Sequence, residues 1–214
     1  MGFNVRTWLA RASAFAGVIL IAVGLIALAF NAEPLSLVVS AAAYAADVSS
    51  AVSASDPVSE PDGYRMDDYR SPVPATLKGA TVLSNADAER LWAEKRAVFI
   101  DVYPHAPKPA NLPEGTLWRE TTHQSIEDAV WLPNVGYGVL SAATDGYFRR
   151  SLEALTGGDK TKPLVFFCLR NCWMSWNAAK RALSYGYKHV NWYPEGSDGW
   201  QEIGGLVVEA RPLQ

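Results

Sequence analysis

The chain of 214 residues is 49% hydrophobic and 19% charged, proportions that suit a globular protein with one good-sized core. A net charge of -3 leaves no basic face of the kind that nucleic acid requires, so nucleic-acid binding is set aside. Eight Trp and nine Tyr are a heavy aromatic load, best used in a core.

Arg6 and Arg11 precede an apolar run from Ala14 to Phe30, and Ala43-Tyr44-Ala45 stands before Ala46. A basic start, an apolar stretch and an A-x-A site make an export signal, with cleavage expected after Ala45. The run is nearly long enough to span a bilayer core of about 30 Å, so a retained single-pass anchor is the alternative. Either way the two arginines stay in the cytoplasm and the rest of the chain crosses, which places it in the periplasm. Only the N-terminal segment then touches the membrane. Residues 1–45 are read as signal peptide or anchor, and residues 46–78, rich in Ser, Pro, Asp and Ala, as a flexible linker. Tyr64, Met66 and Tyr69 can pin its end to the domain taken as 79–214; a fully solvated linker is the alternative.

Within that domain, Ser84 or Asn85 can cap a helix in which Ala88, Leu91 and Trp92 recur at helical spacing, ending near Lys95-Arg96. Ala97 to Tyr103 is short, continuous and β-rich, as a strand buried on both faces should be. Pro104 to Gly157 supports a long loop, a short strand near Ala129 to Leu132, and a helix through Tyr147 to Leu155. A second buried strand, Pro163 to Phe167, runs into Cys168, and a helix follows through Ser175, Ala178 and Ala182 to a stop at Gly186. His189 to Tyr193 makes a third strand, and Gly196 to Gly199 turns into a short helix around Trp200. Strands alternating with helices imply a parallel α/β sheet, whose ligands bind at the carboxyl ends of the strands.

Cys168 stands at such an end. Loop N–H groups and a helix N-terminus converge there, a field that favours a thiolate, a persulfide or an oxyanion. The competing reading is a buried cysteine acting as a small hydrophobe. His105, His123 and His189 are isolated, with no metal-ligand spacing, and read as loop or strand surface. Asp101, at the end of its strand, reads as a brace for neighbouring backbone N–H groups. Glycines 157 and 158 precede a strand, the wrong order for a phosphate loop. Neither a metal nor a cofactor is expected.

Four segments in order resemble rhodanese-like domains: Ala97 to Tyr103, Ala129 to Pro133, Phe166 to Ala179, and Gly186 to Val207 with its closing strand, glycine turn and Trp helix. They span nearly everything from Thr81 onward. The resemblance implies a single α/β domain with a five-stranded parallel sheet flanked by helices. It also implies a loop cysteine, Cys168, that takes sulfane sulfur from a donor such as thiosulfate and passes it to a thiol or cyanide. Common rhodanese loops carry Gly and a basic residue after the cysteine, whereas this one reads Cys168-Leu169-Arg170-Asn171-Cys172-Trp173. A phosphatase loop is absent, since Trp173 and Met174 occupy the places where its arginine would fall.

This loop, with Trp173-Met-Ser-Trp-Asn-Ala-Ala-Lys after it and Trp192-Tyr-Pro-Glu-Gly-Ser-Asp-Gly-Trp further on, is similar to a narrower group. That group comprises rhodanese-like proteins named for a Cys-x-x-Cys-Trp motif and associated with pyrroloquinoline-quinone-dependent alcohol catabolism. Here three residues separate the cysteines. The association implies a periplasmic setting, with a quinoprotein dehydrogenase or c-type cytochrome as partner besides a small sulfur donor or a partner thiol. Cys168 and Cys172 are the expected catalytic residues, and Arg170, Asn171, Trp173, Glu195 and Asp198 the expected substrate contacts, Arg170 for a sulfonate or thiolate. Glu195, Ser197 and Asp198 can instead hold Arg170.

The chain has no other cysteines, which leaves three hypotheses. Cys168 carries a persulfide that Cys172 resolves; the two cycle between dithiol and disulfide; or the loop and its aromatics form a binding surface without turnover.

Overall fold

The computed structural model describes residues 57–214 apart from 107, 110 and 120. The export signal or anchor, and the start of the linker, lie outside the described residues.

Five strands form one parallel sheet: β1 (Thr81–Val82), β2 (Val98–Asp101), β4 (Val130–Trp131), β5 (Leu164–Phe167) and β6 (Val190–Tyr193), in the order β1-β6-β5-β2-β4. Four helices accompany them: α1 (Asn85–Ala93), α2 (Ala142–Thr156), α3 (Trp173–Ser184) and α4 (Gly196–Glu202). This is the architecture that the resemblance implies. The sheet is central because β5, Leu-Val-Phe-Phe, is buried at every position. Alternation along it divides the core in two. Leu164 and Phe166 face α2 and α3 together with Trp173, Trp176 and Trp192, while Val165 and Phe167 face α1 and α4 with Phe99 and Trp200. Burying a side chain such as Phe166, with no exposed area, contributes roughly 2–3 kcal/mol.

The helices begin where capping chemistry allows. Ser84 Oγ accepts from Asp87 N at 3.2 Å to open α1, and Ser141 Oγ accepts from Thr144 N at 3.1 Å to open α2. Helix α1 stops at Ala93, short of the expected Lys95-Arg96, because Lys95 turns left-handed with φ of 51°.

Three strands were not legible in the sequence. β1, at two residues, is too short to show a pattern. β3 (His123–Ile126) and β7 (Val207–Ala210) form a separate antiparallel pair. Of the three buried positions of β3, His123 and Ser125 are polar residues held by Asp101 and Ile126 alone is apolar, so no apolar alternation marks the strand. β7 is exposed or half-buried throughout.

Residues 57–78 correct the linker expectation over their length. They have no regular structure, yet they form a strap across α3. Leu77 is buried in the core, Trp176 Nε1 donates to Thr76 O at 3.1 Å, and Lys180 Nζ donates to Pro61 O at 3.1 Å. Asn177, fully buried, pairs with Arg65 as a neighbouring strand would, accepting from its N–H at 2.9 Å and donating to its carbonyl at 2.8 Å. Its amide also donates to Gly136 O at 2.9 Å. Tyr69 OH accepts from Gly138 N at 3.0 Å, so of the three residues named for pinning, this one makes a tie to the domain's own loop.

Asn177→Ala leaves three backbone groups without partners, an expected loss of roughly 3 kcal/mol. A lower urea midpoint with faster proteolysis within 57–78 is the expected result; an unchanged cleavage pattern would show that the strap is held elsewhere.

Candidate functional site

The carboxyl end of β5 has partners on both sides. Val102 N donates to Phe167 O at 3.0 Å from the β2 side, and Ser197 N donates to Cys168 O at 2.9 Å from the turn after β6. Leu169 bridges to Gly196. The turn reaches this close because residue 196 is glycine with φ of +57°; a Cβ there would lie 2.2 Å from Cys168 O and 2.9 Å from Leu169 C.

Cys168 and Cys172 are joined as a disulfide, with their Cα atoms 6.2 Å apart, inside the range a bridge allows. Between them Asn171 turns left-handed, φ 54°, which Asn accepts more readily than most residues. Asn171 is the exposed crown of the loop, while both cysteines are almost wholly buried, at 1% and 2% exposure. Cys172 is the N-cap of α3, so both sulfurs sit at the positive end of a 12-residue helix. That end of the helix favours negative charge, whereas the apolar surroundings disfavour it.

Each expected contact residue has a definite place. Arg170 is clamped: Nε donates to Glu195, Nη1 donates to Glu202 at 2.7 Å, and Nη2 donates to the other Glu202 oxygen. Asp198 accepts from the Arg170 backbone N–H at 3.0 Å. These hydrogen bonds hold the Glu202 carboxyl below its usual range and the guanidinium firmly protonated, Glu202 first and Glu195 next. Glu195 and Asp198 therefore hold Arg170, the second of the two roles expected of them. Trp173 corrects the expectation of a substrate contact. It is 2% exposed, its backbone N–H donates to Tyr69 O at 2.9 Å, and Nε1 donates to Pro72 O at 3.1 Å and toward Ser71 Oγ at 3.2 Å. It locks the strap to the start of α3.

His123 is also misplaced by the sequence reading, being neither loop nor surface. Its Nε2 lies 2.7 Å from Asp101 Oδ2, which also accepts from Ser125 Oγ at 2.7 Å. The imidazole stacks on Tyr103, with ring centroids 4.8 Å apart. Asp101 Oδ1 accepts from Tyr103 N at 2.8 Å, the bracing expected of it. This cluster ties β2 to β3, and a cavity of about 180 Å³ beside it is lined by Tyr103, His105, Trp118 and Trp131. Asp101 shares the core face of Phe99 and Phe167, opposite to that of Cys168. The signal that could have found the cluster is the pair of alternating polar residues, His123 and Ser125, in a strand that ends on a buried Ile126.

No family profile and no curated protein matches the chain. Among solved structures, it is similar to a polysulfide-sulfur transferase homodimer from Wolinella succinogenes, with 21% identity over 61% of this chain and 79% of that one and a TM-score of 0.38. It is also similar to an uncharacterized protein from Saccharomyces cerevisiae, with 20% identity over 58% of this chain and 93% of that one and a TM-score of 0.37.

Proposed function

We propose that the chain is an exported rhodanese-like sulfurtransferase in which Cys168 accepts a sulfane sulfur and Cys172 resolves the persulfide. The observation that carries it is the position of Cys168, which ends the central strand of the parallel sheet and is bonded to the cysteine that opens α3. Reduced Cys168 attacks the outer sulfur of a persulfide donor, forming Cys168–S–SH and releasing the donor's thiolate. Either an acceptor thiolate takes that outer sulfur, or the Cys172 thiolate attacks Cys168 Sγ, forming the disulfide and expelling hydrosulfide. An external thiol reductant then restores the pair.

The bridge itself favours a second reading, a thiol-disulfide oxidoreductase in which the same pair exchanges with a partner and no sulfur is carried. In both, the setting is the periplasm and the partner a quinoprotein dehydrogenase or c-type cytochrome. The N-terminal signal and the resemblance to the Cys-Trp-motif group support that setting.

Intact mass spectrometry separates the two chemistries. Reduced Cys172→Ser treated with cysteine persulfide gains one sulfur that cyanide removes, Cys168→Ser gains none, and the unaltered protein returns to its disulfide with release of sulfide. If no variant gains sulfur while the unaltered protein still cycles between dithiol and disulfide, sulfur transfer fails and exchange stands. Gly196→Ala, which forces the turn away from Cys168, is expected to cost about 2 kcal/mol or more and to slow sulfur uptake at least tenfold. Uptake at the ordinary rate would mean that the close approach does not set the cysteine geometry. In cells, the protein is expected in the periplasmic extract, and on the exchange reading Cys172→Ser is expected there in a mixed disulfide with one of the named partners; recovery only from the cytoplasm would overturn the export proposal.

A further inference from the structure

Arg170 is the one cation within the cysteine loop, and its Nε, Nη1 and Nη2 each donate to a carboxylate. Glu195 takes Nε, and Glu202 takes Nη1 and Nη2 as a bidentate pair. Asp198 adds a third carboxylate against the loop backbone. On the other flank, Arg65 lies over the Trp173 ring at 5.3 Å and is itself paired with Asp67 at 3.6 Å and Asp68 at 3.3 Å. Among the described residues, no other Lys or Arg side chain is hydrogen-bonded or ion-paired to residues 168–172. Arg70, exposed between Tyr69 and Ser71, is a second guanidinium on the Arg65 flank, so the excess of carboxylates lies on the Arg170 side, where Glu195, Asp198 and Glu202 meet one guanidinium.

We infer that Arg170, Glu195 and Glu202 set the charge specificity of the cysteine pair, turning away anionic sulfur compounds such as thiosulfate or sulfonate thiols and admitting neutral or cationic thiols and persulfides. This rests on the reading of Cys168 and Cys172 as the reactive pair and names its substrate class. An anion entering on the Arg170 side must displace a carboxylate from the guanidinium or approach a rim where carboxylates outnumber guanidiniums. A cationic thiol meets the same rim with attraction. Surface fields of this kind change encounter rates by tenfold or more at low salt and fade as salt shortens their reach. The guanidinium-to-sulfonate contact expected from the sequence thus competes with the two carboxylates already on Arg170.

The test uses the oxidised protein and follows opening of its disulfide by cysteamine, a cationic thiol, and by 2-mercaptoethanesulfonate, an anionic one. The rate ratio of the two is set against their ratio on 2-hydroxyethyl disulfide, a neutral reference that removes the difference in intrinsic thiol reactivity. At low salt the protein is expected to favour cysteamine about tenfold more than the reference does, and in about 1 M salt to come within about twofold of it. Glu195→Gln with Glu202→Gln frees Arg170 and is expected to bring the low-salt ratio to the reference value or below. A low-salt ratio equal to the reference, or one that neither salt nor the double substitution moves, overturns the charge specificity and leaves the reactive pair standing. A bridge that neither thiol opens in the folded protein overturns both.

Discussion

A parallel strand with neighbours on both edges and helices over both faces has no contact with water, so the chain leaving it must find hydrogen-bond partners inside the protein. At the end of β5 those partners are supplied by the turn after β6, through Ser197 to Cys168 and Gly196 to Leu169. The rest of the site follows from that close approach. With residues 196–198 against residues 168–170, Glu195 and Asp198 fall on either side of Arg170. Glu202, four residues beyond Asp198 and so on the same face of α4, completes the clamp. Gly196 permits the approach because a side chain there would occupy the space of Cys168's own carbonyl.

Alternation along β5 decides which core the sulfur joins. Leu164, Phe166 and Cys168 point to the side of α2 and α3, among Trp173, Trp176 and Trp192, where an ionised thiol loses its hydration. The N-terminus of α3 pulls the other way, because its dipole favours the anion. A neutral disulfide satisfies the burial without carrying a charge away from water.

The sequence was most legible where burial alone dictates pattern. The runs at 97–103, 163–167 and 189–193 carry β2, β5 and β6, and Ser84 marks the start of α1. It was least legible where a polar residue does the work of an apolar one. His123 and Ser125 occupy inward positions that would ordinarily be Val or Leu, because Asp101 at the end of β2 takes their hydrogen bonds. The Ser- and Pro-rich stretch before residue 79 has no apolar period, yet Asn177 reads its backbone through paired hydrogen bonds that no composition reveals. At the site, the loop position was legible from the strand that ends at Cys168. The clamp was legible only as one of two roles for Glu195 and Asp198, because Glu202 lies outside the glycine turn that drew attention to them. Trp173 misled, since its place after the second cysteine resembles a site residue while the strap that covers it has no sequence signal.

Both ends of the disulfide loop are anchored, and its middle is fastened in part by charge. Cys168 is fixed by the β5 terminus and the Gly196 turn, and Cys172 by Trp173, whose backbone and indole N–H groups bond to Tyr69 and Pro72. The middle is tied by the Leu169–Gly196 bridge, by the Arg170 N–H on Asp198 and by the Arg170 side chain on exposed carboxylates, the last an interaction that water and salt weaken. Opening therefore requires release of residues 169–171 without separation of the two cysteines. A persulfide or mixed disulfide on Cys168 held at that spacing is attacked intramolecularly by the Cys172 thiolate, expelling hydrosulfide or the partner thiolate, with no loss of translational freedom to oppose it. A persulfide formed on Cys168 accordingly meets Cys172 sooner than it meets a dilute second thiol, and passes its sulfur on only to an acceptor already docked at the rim.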